Sequence, residues 1–258
     1  MDIASLIGII TGIGLIGFTI LSQSGWQFFF NLPSILIVLG GTLAAILINY
    51  PLKDVLSVAK VAGKVFTHKV EPIQETIEFW RTMARKARQD GLLALEDEIN
   101  QVNDKFTQKG IQLMVDQVDS EILNEILSTE IMYIQERHDL GQQIFKSLGN
   151  FAPAFGMVGT LIGLIQMLQK LNDPSQIGTG MGTALITTFY GAVLANLFFI
   201  PMAGKLKTRS QQEVQSKELI VLAINSIQEG DNPRLLNEKL VTFVSPKLRL
   251  AEKTENAK

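Results

Sequence analysis

Four stretches of the chain are continuously apolar and uncharged. Ile3 to Ser22, Leu32 to Tyr50, Phe151 to Leu168 and Gly182 to Ala203 contain no Asp, Glu, Lys, Arg or His. Each is about long enough to cross a ~30 Å hydrocarbon core as an α-helix. They form two close pairs, joined by the short links Gln23–Asn31 and Gln169–Met181. The polar remainder lies between the pairs and after the second one, and its pattern is also helical. Ile122, Leu123, Ile126, Leu127, Ile131 and Ile134 recur at spacings of three and four, as do Leu219, Val221, Leu222, Ile224 and Ile227. Pro72 with Glu75 and Glu78 predicts a helix start, and Gly91 a helix end after Asp90. The Ile122 helix is expected to run towards the third apolar stretch with an interruption near Gly149 and Pro153. The tail helix is expected to stop at Gly230-Asp231-Asn232-Pro233 and to resume from Leu235. Residues Ala251 to Lys258 read as a frayed end.

The resulting fold class is an all-α membrane protein, with four transmembrane helices in two hairpins and a helical cytoplasmic domain. Its parts are a transmembrane hairpin at 1–50, a cytoplasmic insert at 51–149, a second hairpin at 150–204 and a cytoplasmic tail at 205–258. Charge supports this orientation. Of 23 Lys and Arg residues, 12 fall in 51–147 and 10 in 202–258, with Lys170 alone in a short link. Cationic segments stay on the cytoplasmic side, so insert, tail and N-terminus are expected inside, in the bacterial inner membrane. Met1-Asp2-Ile3 has no basic flank and no cleavage site precedes Gly25, so the first apolar run is read as a retained span. Trp26 and Phe28-Phe29-Phe30 fit the opposite interface.

Composition narrows the chemistry. The chain has no Cys, and His68 and His138 are too few and too distant to hold a metal. No phosphate loop, His-rich motif or triad is present, so an enzyme is not expected, and nothing points to nucleic acid. A cation carrier normally needs an intramembrane carboxylate; here the spans have none, so any such acid must come from another chain. The spans do carry small and hydroxyl residues: Gly156, Gly159, Thr160 and Gly163 in the third, Thr187, Thr188 and Gly191 in the fourth. The glycines make room for a partner helix. Threonine hydroxyls can replace part of a cation's hydration shell; the simpler alternative is that each bonds the carbonyl one turn back. Pro153 and Pro201 lie near the cytoplasmic ends of these spans, either ending the helices or serving as hinges.

The stretch Ala152-Pro153-Ala-Phe-Gly156-Met-Val-Gly159-Thr160-Leu-Ile-Gly163-Leu164 resembles the third-helix pattern of the MotA/PomA family of flagellar stator subunits. Leu185-Ile-Thr187-Thr188-Phe-Tyr190-Gly191 with Pro201 is similar to its fourth helix, and Ile227-Gln-Glu-Gly230-Asp-Asn-Pro233-Arg234 to its post-membrane segment. Ile35 to Gly41 also fits, and the resemblance runs from Met1 to about Leu250. It implies a motor part: a homo-oligomeric ring, expected to hold five copies, around a single-span MotB/PomB-type partner that supplies the essential Asp. Cation flow would turn the ring against a rotor switch protein of the FliG type, with no cofactor beyond the transported Na+ or H+. By the same resemblance Arg88 and Glu96 face the rotor, with Arg85, Lys86, Asp97 and Glu98 able to share that task. Pro153 and Pro201 match coupling prolines, and Thr160, Thr187 and Thr188 match ion-path positions. Thr160 and Thr187 resemble the sodium-type members, so Na+ is the expected ion. The ring is expected to bury the glycine-rich faces between subunits and against the partner. Two alternatives fit less well. A TolQ/ExbB-type energiser would have one span before its cytoplasmic body. A secondary transporter would show repeated halves and a midplane site.

Overall fold

The computed structural model describes residues 3–22, 26–65, 73–99, 101–170, 172 and 174–244. Among the described residues every regular element is helical. In chain order these are α1 (Ile3–Ser22), α2 (Leu32–Asn49), α3 (Leu52–Val65), α4 (Ile73–Asp90), α5 (Glu96–Ile99), α6 (Lys105–Val115), α7 (Ser120–Gln169), α8 (Pro174–Val193), α9 (Ile200–Gln228) and α10 (Pro233–Val241). Short 3₁₀ turns occupy Trp26–Phe29 and Leu92–Leu95, while π-helical segments occupy Leu36–Gly40 within α2 and Leu194–Phe199 between α8 and α9. Four helices are long and apolar enough to cross a membrane, in the order that the four apolar runs predict. Met1, Asp2, Gly25, His68, Pro72 and the predicted frayed end at Ala251 to Lys258 lie outside the described residues.

The predicted breaks have local causes. Gly91 sits at φ +86° and Gly230 at φ +75°, a region where a side chain is strained, so each stops a helix. After Gly230 the chain restarts at Pro233, two residues before Leu235. Asn232 accepts a hydrogen bond from the Arg234 N–H at 3.1 Å, and Pro233 supplies the first helical φ without wasting a donor. The interruption expected near Gly149 and Pro153 does not occur: α7 continues through Pro153. One missing N–H is a local loss, and here the backbone on either side is held by packing. A Cβ on Gly191 would stand 2.6 Å from the Ala152 carbonyl, so α8 presses directly on this segment. Pro201 does not end its helix either. It lies in the first turn of α9, just after a π-helical segment, where its absent donor falls beside an already altered ladder.

The chain divides into two compact units: Met1–Lys69 with His138–Thr208, and Val70–Arg137 with Arg209–Lys258. The first holds the apolar spans. Ile46, Val58, Ile144, Phe145 and Ala203 form a buried cluster there, so the segments around Val58 and Ile144 pack with the spans. Tyr50 and Ser147 share a 2.9 Å hydroxyl hydrogen bond beside it.

The second unit has a water-soluble type of core. Trp80 and Met83 of α4, Leu95, Ile111 and Met114 of α6, Leu123 and Leu127 of α7, Leu219 and Ile224 of α9, and Leu236 and Leu240 of α10 are almost fully buried. Burying such side chains contributes roughly 1.5–3 kcal/mol each. The N-terminus of α6 is pinned by Asp104, which accepts from the Thr107 N–H at 3.0 Å and its hydroxyl at 2.7 Å. Lys217 of α9, itself buried, lies 3.6 Å from Asp104 and 4.6 Å from the centre of the Phe106 ring. Burial pushes the Asp104 pKa up, but the Thr107 hydrogen bonds and the Lys217 charge outweigh it and leave it below the ordinary value. Asp231 is lowered too, first by the hydrogen bond from Lys239 and then by that from Ser226.

A carboxyl whose pKa is lower in the folded state stabilises above its unfolded value and loses that contribution as pH falls through the folded one. Thermal stability of the second unit is therefore expected to drop on acidification below about pH 4. Asp104→Asn keeps the cap but should flatten part of that dependence and cost about 1 kcal/mol at neutral pH through the lost charge facing Lys217. The check is a melting series across pH on the full chain in detergent, read by the fluorescence of buried Trp80 in a Trp26→Phe background.

Candidate functional site

Within the first unit, α7 and α8 pack with their backbones almost touching. A Cβ on Gly163 would lie 2.6 Å from both the Ala184 nitrogen and the Gly180 carbonyl oxygen, and one on Gly180 would lie 2.8 Å from the Gly163 oxygen. Gly156 likewise faces the backbone of Thr187 and Thr188, and Gly159 the Thr187 side chain. In a membrane, association depends on such close packing because lipid is as apolar as the helices. These glycine faces are thus filled by the chain's own neighbouring helix. The close partner helix for which Gly156, Gly159 and Gly163 are expected to make room is α8.

This closeness brings the threonines together. The Thr160 hydroxyl lies 2.6 Å from that of Thr188 across the two helices, 3.0 Å from the Gly156 carbonyl and 3.3 Å from the Ala184 carbonyl. Thr188 also reaches the Ala184 carbonyl at 3.3 Å, and Thr187 reaches it at 2.9 Å. One carbonyl has two lone pairs, so it cannot accept from all three hydroxyls as well as from its helix. The protons must be shared, and unprotonated oxygen lone pairs remain at the cluster. Each threonine does bond the carbonyl one turn back, as the simpler reading expects. The Thr160–Thr188 contact goes beyond it.

Exposure separates the three. Thr187 is fully buried, its hydroxyl bonded to Thr183 and Ala184 and its methyl against Gly159. Thr188 is exposed and Thr160 half-buried. Around that pair the surface is apolar, with Met157, Leu161, Met181 and Leu185 all exposed. The arrangement offers hard oxygen donors on an open apolar face that carries no charge. It can contribute part of a cation's coordination and cannot, by itself, balance the cation's charge.

Sequence reasoning missed a residue on the same helix. The Tyr190 hydroxyl donates to the Phe29 carbonyl and accepts from the Asn31 N–H at 3.3 Å, so it ties the link between α1 and α2 to α8. Phe29 and Phe189 meet edge to face at 5.7 Å beside it.

The second unit holds the predicted charges. Arg88, in the last turn of α4, and Glu96, at the start of α5, are both exposed. No ion pair involving either occurs among the described residues. Lys86 and Glu98 instead pair with each other, Nζ to Oε1, at 2.6 Å. No cluster of His, Asp or Glu suited to a metal occurs among the described residues.

Residues 98–219 match the profile of the MotA/TolQ/ExbB proton channel family. The motility protein A of Treponema pallidum is 39% identical over 96% of this chain and 96% of its own length. The chemotaxis protein PomA of Vibrio alginolyticus is 38% identical over 98% and 99%. The flagellar MotAB stator complex from Bacillus subtilis superposes with a TM-score of 0.87 at 30% identity, covering 95% of this chain and 97% of that one. The chain belongs to the MotA/PomA family. It is accordingly a multi-pass membrane protein of the ion-channel stator type and not an enzyme. Motility protein A and PomA names occur among relatives at 39% and 38% identity, so family membership leaves the choice of ion open.

The α7–α8 contact gives a sharp test. Gly163→Val must push apart two backbones and is expected to abolish or severely lower recovery of folded protein. Gly182→Ala, at a helical position with nothing within 4 Å of its would-be Cβ, should leave it unchanged or slightly more stable. Fluorescence-detected gel filtration with a thermal ramp distinguishes the two.

Proposed function

We propose that the chain is the ion-path subunit of a flagellar stator driven by Na+. The hydroxyl pair Thr160–Thr188, 2.6 Å apart on spans without an ionisable group, carries this reading. A monovalent cation passing such a face exchanges water for hydroxyl and carbonyl oxygen. Its charge needs an acid, and the apolar surface around the pair suits a single helix of a MotB/PomB-type partner bearing an Asp. The MotAB complexes among the structural relatives support a partner of that kind. On this reading the chain forms a ring of five in the inner membrane, both termini and the second unit face the cytoplasm, and Arg88 and Glu96 contact a rotor protein of the FliG type. Pro153 and Pro201 are the coupling positions. Each leaves a carbonyl without its helical donor at a place where the helix nonetheless continues. Thr187 acts by packing, holding α7 and α8 at the spacing that Thr160 and Thr188 need. A TolQ/ExbB-type role is disfavoured because two spans precede the polar insert.

The test is swimming speed against external sodium in a stator-less strain expressing this chain with its partner, at fixed pH and membrane potential. Speed should rise with sodium and vanish without it. Thr160→Ala should raise the half-saturating sodium concentration roughly tenfold, equivalent to losing one favourable oxygen contact. Speed that follows pH and ignores sodium would overturn the choice of ion.

A further inference from the structure

The segment from Ala87 to Asp97 comprises the last turn of α4, Gly91, a 3₁₀ turn and the start of α5, and one ion pair joins its two ends. On one side α4 ends at Asp90; Gly91 then turns the chain at φ +86°, with nothing packed around its would-be Cβ. On the other side Leu95, fully buried in the core, anchors the 3₁₀ turn, and α5 begins at Glu96. Lys86 lies two residues before Arg88 and Glu98 two residues after Glu96. Their side chains meet at 2.6 Å and are 29% and 24% exposed, whereas Arg85, Arg88, Glu96 and Asp97 all project into solvent.

We infer that Lys86 and Glu98 are a positioning pair, which sets the separation of Arg88 and Glu96 and does not itself face the rotor. This rests on the reading of Arg88 and Glu96 as rotor-contacting residues. The geometry separates two kinds of charge within one cluster. An ammonium and a carboxylate bonded to each other present little net field outwards, because their opposite charges cancel at short range. The unpaired Arg88 and Glu96 keep theirs. A partly exposed ion pair adds little to folding stability, so its effect lies in where its neighbours stand. Across a segment turned by an unpacked glycine, the pair is the polar contact that joins the end of α4 to α5. The Glu98 hydrogen bond, reinforced by the Glu98, Asp97 and Asp90 charges, raises the Lys86 pKa against the opposing effect of burial.

Charge reversal tests this. Lys86→Glu or Glu98→Lys alone sets like charges against each other at the ends of the segment, and each is expected to cost more than half of wild-type swimming speed. The double exchange, Lys86→Glu with Glu98→Lys, restores the pair in reverse and should restore most of the speed. No recovery in the double exchange, or no loss in the singles, would overturn the inference. A structural readout accompanies it. The chain has no native Cys, so spin labels placed at 88 and 96 in the purified stator complex report their separation directly. The distance distribution should broaden in each single reversal and narrow again in the double; an unchanged distribution would overturn the pair's positioning role. Arg88→Glu and Glu96→Lys serve as separate controls for the rotor reading. Should they leave swimming intact, the rotor contact fails, while the label distances still decide whether Lys86 and Glu98 hold the segment.

Discussion

The approach of α7 to α8 at backbone distance is the contact on which the membrane unit depends. In water the burial of large apolar side chains would supply the attraction between two helices. In a bilayer that attraction is absent, since leaving lipid for a neighbouring helix changes little for an apolar surface. Dispersion contacts between backbones then become the main source of adhesion, and they require residues with almost no side chain at the seam. Gly156, Gly159, Gly163, Gly180 and Gly191 meet that requirement. The hydroxyl cluster is a by-product of the same closeness. Thr160 and Thr188 reach each other because the helices bearing them are separated by the thickness of two backbones.

The second unit solves the complementary problem by ordinary means. Its core is filled by Trp80, Met83, Leu127, Ile224 and their neighbours, and caps and ion pairs such as Asp104 with Thr107 and Lys239 with Asp231 match polar groups at its helix ends. Buried Lys217 is the exception. Its charge is tolerated because Asp104 and the Phe106 ring face it, and the three together fix where α6 starts. Exposed charges meanwhile remain on the segment that ends in α5. A firm interior and an electrically active rim are thus built from separate residues.

Much of this was legible in the residue order because it depends on local rules. Uninterrupted apolar runs specify spans, and Gly91, Gly230 and Pro233 punctuate the helices as their backbone preferences require. The spacing of Leu123, Leu127 and Ile131 marks a buried stripe. The illegible remainder depends on distance in space. Nothing in the sequence tells that Lys86 will choose Glu98 over solvent, or that Tyr190 will reach Phe29, 161 positions away. The glycines of the third span mark places of close approach in the sequence, but which helix approaches them is visible only in space. Pro153 misled because its cost is set by the surroundings: pressed against Gly191, the helix absorbs it. The π-helical segments leave no periodic trace, and each rotates the residues downstream of it relative to a regular helix.

The link between α1 and α2 carries a further implication. Its backbone leaves the helical ladder where the chain turns at the edge of the spans, and two of its polar groups, the Phe29 carbonyl and the Asn31 amide, are satisfied by the same phenolic oxygen. That oxygen is both donor and acceptor, a dual capacity that among ring-bearing side chains of this size belongs to tyrosine alone. Selection at position 190 is therefore answerable to the first hairpin as much as to the helix on which the residue sits. Loss of that one hydroxyl would leave both groups of the first hairpin without their partner on the second.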